Sequence, residues 1–145
     1  MSKQLFILAI DDDRMVREVL QNALSRTGHY VYTAKDGPSG LEIAQSQKLD
    51  VILLDWMMPG MNGMEVLKQL KHDEKTRHVP VFMLTAKDSL HDIDQAVSLG
   101  VDDYIVKPFN ASEIPTLIED KLKKIKDAKT EKKRFSLTRL FSKDS

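Results

Sequence analysis

Acidic, hydroxyl and ammonium side chains directly follow four short apolar runs of this chain, at residues 5–10, 51–54, 81–84 and 104–106. The runs stop at Asp11-Asp12-Asp13, Asp55, Thr85 and Lys107, respectively. Such runs are typical of buried β-strands, and the carboxyl ends of parallel strands meet at the edge of a sheet where ligands bind. The spacing therefore predicts one site that gathers carboxylates, a hydroxyl and an ammonium, a combination suited to a divalent metal ion and a phosphoryl group.

The carboxylate of Asp55 is the candidate nucleophile of this site. A carboxylate can attack phosphorus and form an acyl phosphate, provided that the surrounding negative charge is neutralised. Asp11 and Asp12 would repel Asp55, and Mg²⁺, which prefers oxygen ligands, would offset that repulsion. Lys107 adds a fixed positive charge and Thr85 a hydroxyl donor. Phosphoryl transfer requires little else from a protein than positioning and charge stabilisation.

Each of these residue types taken alone has a simpler interpretation. An aspartate after a strand is usually a helix cap or a turn residue, and this is the role expected for Asp13. Asp102 and Asp103 precede the last apolar run and are expected in a solvated loop rather than among metal ligands. The joint pattern at four strand ends is what favours a phosphoryl site.

Helical periods alternate with the apolar runs along the chain, which predicts βαβ units on a parallel sheet. Five strands and five helices are expected, with a second strand at residues 30–34. Turn and cap residues mark the helix boundaries, namely Asp13, Gly28, Asp36, Asn62, Gly100 and Asn110. Pro115, early in the last helix, removes a backbone donor and is expected to tighten or kink the start of that helix.

Composition and charge narrow the class of protein. The 145 residues are enough for one domain with a sizeable core, and the lack of cysteine excludes disulfides and thiolate metal sites. The four histidines show no metal-ligand spacing, and the first apolar run is too short for a signal peptide or a membrane span. We therefore expect a cytoplasmic protein.

The net charge of zero conceals two regions of opposite sign. Residues 121–145 carry ten basic and three acidic side chains, a net charge of +7, whereas the rest of the chain carries −7. We expect a domain over residues 1–127 and a basic tail over 128–145 that is disordered or forms a short helix. No output domain is expected after the tail. The tail is interpreted as a solvated segment or, alternatively, as one that binds a partner or an anionic surface.

In combination, the motifs of this chain resemble the receiver domain of two-component response regulators. The likeness covers about residues 4–126, and its matching segments are Ile10 to Asp13, Leu54 to Gly63, Leu84 to Ala86 and Gly100 to Phe109. The resemblance implies a five-stranded, doubly wound, flavodoxin-like sheet in the order 2-1-3-4-5, flanked by five helices. It also implies a cis peptide bond between Lys107 and Pro108.

The resemblance further implies a metal site and a phosphoacceptor. Asp55 would accept the phosphoryl group from a partner histidine kinase or phosphotransfer protein. Asp12 and Asp55 would bind Mg²⁺ directly, together with the backbone carbonyl of Met57, and Asp11 would bind it through a water molecule.

A switching role is implied for three other residues. Thr85 would follow the phosphoryl group, Lys107 would pair with it, and rotation of Tyr104 would report it. A downstream protein would then bind the face formed by helix four, strand five and helix five. Such a protein is a signalling switch that catalyses only its own phosphorylation and dephosphorylation.

Two alternatives belong to other functional classes. An aspartate-dependent phosphohydrolase of the haloacid dehalogenase type would use Asp11 as nucleophile, because Asp11-x-Asp13 follows strand one. However, the Thr or Val expected at position 15 is Met15, and the later acidic and lysine motifs are out of order. The second alternative is a binding module that works without phosphorylation.

Overall fold

The computed structural model describes residues 3–142, and the side chains of all of these except Lys87, Leu90, Phe141 and Ser142. Five strands alternate with five α-helices, as predicted. The strands are β1 (Phe6–Ile10), β2 (Tyr30–Ala34), β3 (Val51–Asp55), β4 (Val81–Ala86) and β5 (Asp103–Lys107). The helices are α1 (Arg14–Arg26), α2 (Gly37–Ser46), α3 (Gly63–His72), α4 (Ile93–Ser98) and α5 (Ile114–Ser142), and 3₁₀ turns at Lys87–Asp92 and Ala111–Glu113 precede α4 and α5.

The strands form one parallel sheet in the order β2-β1-β3-β4-β5, which confirms the predicted flavodoxin-like fold. Strand order reverses between β1 and β3, because β2 lies on one side of β1 and all later strands lie on the other. Ligands bind at such a reversal, outside the carboxyl ends of the strands. Asp55 is paired within the sheet with Leu84, and Lys107 with Ala86.

Burial in the sheet explains why β1 and β3 read as continuous apolar runs. All five residues of β3 are buried, as are the last four of β1, which is the pattern of parallel strands covered on both faces. On one face, Leu8 and Ile52 pack into a core with Val66 and Leu67 of α3. The central strands are therefore rigid supports for the residues at their carboxyl ends.

Side-chain caps begin three of the helices where the sequence predicts them. The carboxylate of Asp13 accepts a hydrogen bond from the Met15 backbone N–H at 2.9 Å, and Asp36 and Asn62 accept equivalent bonds at the starts of α2 and α3. Such bonds satisfy backbone donors that have no partner inside the helix. The prediction that Asp13 is a helix cap is confirmed.

The last helix starts with the tightened turn that Pro115 predicts. Asn110 Oδ1 accepts from the Ser112 N–H at 3.1 Å, and residues 111–113 form a 3₁₀ turn before α5 begins at Ile114. Pro115 is thus the second residue of the α-helix, where a missing backbone donor removes no intrahelical hydrogen bond.

The chain divides into two compact units, one ending at Pro115 and one beginning at Thr116. The first contains the whole sheet and α1 to α4. The second is helical up to Ser142, so residues 128–142 continue α5 rather than forming a disordered tail or a separate short helix. Among the described helices, none combines the length and apolar character required to cross a membrane.

Candidate functional site at the carboxyl edge of the sheet

Asp11 lies directly after β1 and is fully buried. Its Oδ1 accepts a hydrogen bond from the Asp13 N–H at 2.9 Å. Its backbone N–H donates to the Ala34 carbonyl at 3.0 Å, and its carbonyl accepts from Nη1 of Arg17 at 2.8 Å. These three bonds fix the loop between β1 and α1 and leave Oδ2 of Asp11 for the pocket.

Asp55 is the last residue of β3 and is only 5% exposed. The loop that follows it is held close by Gly63, whose N–H donates to the Trp56 carbonyl at 3.1 Å. A Cβ at position 63 would lie 2.6 Å from the Asp55 carbonyl oxygen, so only glycine permits this approach. Helix α3 therefore starts directly against the strand end that carries Asp55.

The ammonium of Lys107 lies between the two buried aspartates. Its Nζ is 2.8 Å from Asp11 Oδ2 and 3.3 Å from Asp55 Oδ1. Among the described residues, Asp11 Oδ2 has no hydrogen-bond partner of good geometry despite this short ion-pair distance. One positive charge thus serves two buried carboxylates, so the pair of aspartates keeps an excess of negative charge.

Asp12 completes a cluster of three carboxylates. One oxygen each from Asp11, Asp12 and Asp55 lies within 4.8 Å of the others, with Asp12 exposed and the other two buried. With Lys107 included, ionisation of all four groups gives a net charge of −2. Clustered carboxylate oxygens with excess negative charge are the chemistry that suits Mg²⁺, so the residues present fit the predicted metal.

Electrostatics in the pocket shift two pKa values. Burial, the charge of Asp11 and a hydrogen bond shared with Asp12 raise the pKa of Asp55 from its ordinary 3.8 to about 7, although Lys107 opposes the shift. Burial lowers the pKa of Lys107, but the close contact with the Asp11 carboxylate and the charge of Asp55 outweigh it, so the net shift is upward. The lysine stays charged, and the pocket as it stands disfavours the ionised form of Asp55.

Thr85 and Tyr104 occupy different places relative to this cluster. Thr85 is buried near the end of β4, and its hydroxyl donates to the Ala86 carbonyl at 3.2 Å. Tyr104 lies earlier, near the start of β5 beside Met83, and is 40% exposed.

Met57 is 67% exposed, and its backbone N–H lies 3.4 Å from Asp55 Oδ1. The Lys107–Pro108 bond is cis, as expected.

Two contacts, those of Arg17 and of Asp102, are not predicted from the sequence. The bond from Arg17 to the Asp11 carbonyl could have been suspected, because a basic residue in the first turns of α1 lies close to the acidic loop. Asp102 was expected in a solvated loop, but its Oδ2 accepts from the Val81 N–H at 2.8 Å and from Lys71 Nζ at 3.0 Å. It lies outside the cluster of Asp11, Asp12 and Asp55, and it joins β4, β5 and α3.

A five-stranded sheet with this strand order, and with three clustered aspartates beside a lysine at its carboxyl edge, is typical of a class of phosphoacceptor signalling domains. Residues 7–119 match the family described as the response regulator receiver domain. The chain belongs to that family, and its acidic pocket is consistent with phosphoacceptor signalling in a two-component system.

Sequence relatives include two transcriptional regulators. The phosphate regulon regulatory protein PhoB of Pseudomonas aeruginosa is 40% identical over 108 residues, which are 74% of this chain and 47% of PhoB. The alkaline phosphatase synthesis regulatory protein PhoP of Bacillus subtilis is 43% identical over 108 residues, or 74% of this chain and 44% of PhoP. The chain thus spans about half the length of the curated relatives it matches.

Solved structures of single receiver domains are similar over almost their full length. The chemotaxis response regulator CheY4 of Vibrio cholerae aligns with a TM-score of 0.77 at 30% identity, covering 82% of this chain and 99% of CheY4. The receiver domain of the Francisella response regulator 1452 aligns with a TM-score of 0.74 at 30% identity, covering 84% of this chain and 99% of that domain.

Proposed function

We propose that this chain is a phosphorylation switch in which Asp55 accepts a phosphoryl group from the phosphohistidine of a partner kinase or phosphotransfer protein. The observation that carries the proposal is the position of Asp55, with Lys107 Nζ at 3.3 Å and two further carboxylates within 4.8 Å. A single buried carboxylate would have no need of this charge arrangement.

Asp12 and Asp55, with the backbone carbonyl of Met57, would hold Mg²⁺ directly, and Asp11 would hold it through water. When bound, the ion supplies positive charge that offsets repulsion among the carboxylates and the incoming phosphoryl oxygens. The three carboxylate oxygens that lie within 4.8 Å of one another support this assignment. The ion would also lower the pKa of Asp55, so that the carboxylate is ionised at neutral pH.

The transfer forms one bond and breaks one bond. An oxygen of the Asp55 carboxylate attacks phosphorus, the phosphorus–nitrogen bond of the phosphohistidine breaks, and the imidazole leaves with the bonding electron pair. Lys107 remains beside the acyl phosphate, where its ammonium stabilises the added negative charge. Because the phosphoryl group stays on the protein, the chain acts as a switch rather than as an enzyme with many turnovers.

The switch would then involve Thr85 and Tyr104. The Thr85 hydroxyl, which donates to the Ala86 carbonyl here, would turn toward a phosphoryl oxygen, and the loop after β4 would move inward. Tyr104 would rotate into the space released, changing the surface around α4 and β5 that a downstream protein binds. The added charge of about −2 drives this shift between two conformations. In this scheme residues 1–127 are the receiver and residues 128–145 an accessory segment.

The direct test is phosphorylation by a small phosphodonor with Mg²⁺. Intact-mass measurement should show one added phosphoryl group on the wild-type protein and none on Asp55→Asn, with peptide mapping of the borohydride-reduced product at Asp55. Asp13→Asn is the matched control, because it removes a neighbouring charge while asparagine keeps the helix cap. This control should be phosphorylated like the wild type.

Other outcomes distinguish the alternatives. Modification at Asp11 would contradict the proposal and favour the phosphohydrolase. If Asp55→Asn bound the downstream protein as the phosphorylated wild type does, the chain would be a phosphorylation-independent binding module.

A further inference from the structure

The part of α5 from Lys126 to Leu140 has three of its six basic side chains on one stripe, and Lys132, Arg134 and Arg139 lie elsewhere around the helix. All fifteen side chains are exposed, and six basic against two acidic residues give a net charge of +4. At roughly 100° per residue, one stripe of the helix presents three lysines and then two leucines, namely Lys126, Lys129, Lys133, Leu137 and Leu140. The acidic residues Asp127 and Glu131 lie on the opposite side.

The leucines of this stripe distinguish it from an ordinary solvated helix face. Leu137 is 46% exposed and Leu140 is 65% exposed, and they lie about one turn apart on the same side as the three lysines. Phe135 lies on the other side, where the Arg139 guanidinium is 5.9 Å from the centre of its ring. The aromatic residue thus has a partner within the helix, whereas the leucines belong to the basic stripe.

The order along the stripe is not suited to pairing with a second copy. A helical seam requires apolar residues repeated over several heptads, and here three successive stripe positions are lysines that would repel their counterparts. Lysines with long apolar stems beside leucines suit an interface between water and lipid, because the stems lie on apolar surface while the ammonium groups reach phosphate oxygens. Clusters of about four to eight basic residues on a helix favour anionic membranes, and residues 126–140 contain six.

We propose that the stripe Lys126–Lys129–Lys133–Leu137–Leu140 binds an anionic phospholipid surface. The helix would lie along the surface, with the lysines at the lipid phosphates and the two leucines at the boundary with the acyl chains. The acidic side, with Asp127 and Glu131, would face water. This inference is independent of phosphorylation at Asp55.

Vesicle flotation with the full chain tests this proposal. The wild type should bind vesicles of phosphatidylcholine and phosphatidylserine in equal parts and should not bind vesicles of phosphatidylcholine alone. Replacement of Lys126, Lys129 and Lys133 by glutamine should weaken binding by at least ~10-fold. Replacement of both Leu137 and Leu140 by serine should also weaken it, by an amount that added salt does not change.

A matched variant distinguishes binding through the stripe from binding through the overall positive charge of the helix. Replacing Lys124, Lys132 and Arg134 by glutamine removes the same charge from outside the stripe and should weaken binding much less. Equal losses in the two triple variants, or equal binding to uncharged vesicles, would overturn the proposal. So would binding to duplex DNA with no binding to anionic vesicles. Asp55→Asn should bind vesicles like the wild type, so a negative result in either the vesicle test or the phosphorylation test leaves the other proposal unaffected.

Discussion

Two lysine–aspartate clusters lie at opposite edges of the same sheet, and they differ in how their charges are balanced. At the amino edge, Lys71 Nζ contacts Asp102 Oδ2 at 3.0 Å and the Val79 carbonyl at 3.2 Å, and Asp102 also accepts from the Val81 N–H. At the carboxyl edge, Lys107 is the one ammonium among the described side chains that contacts Asp11 and Asp55, and Asp12 completes the cluster of three carboxylates.

The side chains of the two lysines are similarly exposed, 20% for Lys71 and 24% for Lys107. The exposure of the lysines therefore does not distinguish the clusters, whereas the carboxylates are more buried at the carboxyl edge, where the side chains of Asp11 and Asp55 are 0% and 7% exposed against 27% for Asp102. The amino-edge cluster has one charge of each sign and a hydrogen bond for the shared Asp102 oxygen, so it holds three elements together. The carboxyl-edge cluster has excess negative charge, which favours binding of a further cation.

Replacing each lysine by methionine should separate the roles of the clusters most strongly. Lys107→Met removes the only described ammonium within contact distance of Asp55 and should slow phosphorylation by small donors by about 10²–10³-fold, as loss of a charge-stabilising donor does. Lys71→Met should leave this rate within about twofold. The rates are measured from intact mass against time at saturating Mg²⁺. Equal slowing in both variants would show that Lys107 acts through the fold alone.

At the amino edge, Lys71 should affect the stability of the fold rather than the rate of phosphorylation. Lys71→Met leaves the Asp102 carboxylate and the Val79 carbonyl without their shared donor, and it should lower the free energy of unfolding by about 1–3 kcal/mol. Urea denaturation measures this loss. Lys71→Arg, which restores the charge, should recover part of it. A neutral result for Lys71→Met would mean that water replaces the ammonium without cost.

At pH 8 in a metal chelator, aspartate-to-asparagine substitutions in the two clusters should change the free energy of unfolding in opposite directions. The pKa of Asp55 is about 7 in the folded chain and 3.8 ordinarily. From pH 3.8 to about 7, the folded chain keeps a proton that the unfolded chain has lost, so stability falls as the pH rises.

Asp55→Asn removes this unfavourable ionisation and should stabilise the chelated protein by about 1–3 kcal/mol at pH 8, with a much smaller effect at pH 4. Asp102→Asn should destabilise it at pH 8, because the ion pair with Lys71 is lost. Thermal unfolding at the two pH values measures both effects. Destabilisation by Asp55→Asn at pH 8 would contradict the raised pKa.

Sequence and structure agree best where a local pattern of residues marks an element. Because apolar runs end at polar residues, β1, β3 and the cluster of Asp11, Asp12, Asp55 and Lys107 could be predicted almost residue by residue. Strand β4 runs two residues past the predicted Leu84, to Ala86, because pairing with β5 extends it, and such pairing is not visible in a local pattern.

Contacts between distant segments could not be predicted. Lys71 and Asp102 are 31 residues apart, and nothing in their local sequences connects them. The length of α5 does have a signal in the sequence, since no glycine or proline follows Pro115 and residues 116–134 are rich in strong helix formers. The boundary at residue 127 stays a prediction.

The smallest expected effect concerns Arg17, which orients the loop that carries Asp11. Its Nη1 donates to the Asp11 carbonyl at 2.8 Å, so Arg17→Met should loosen the loop that orients Asp11. Such supporting contacts affect metal affinity by about 10-fold or somewhat more, and an effect near this lower limit is expected because the bond reaches the backbone. Mg²⁺ titration followed by the fluorescence of Trp56, next to Asp55, measures the affinity.

Arg14→Met is the matched control, because Arg14 is on the same helix but forms an exposed pair with Glu18 at 3.0 Å. It should leave Mg²⁺ affinity unchanged, since exposed pairs of this kind contribute little. Arg17→Lys should recover part of the affinity, because a lysine can still donate to the Asp11 carbonyl. If Arg17→Met and Arg14→Met weakened binding equally, the effect would come from long-range charge. Unequal effects would show that the carboxyl-edge cluster depends on its orienting bonds as well as on its excess charge.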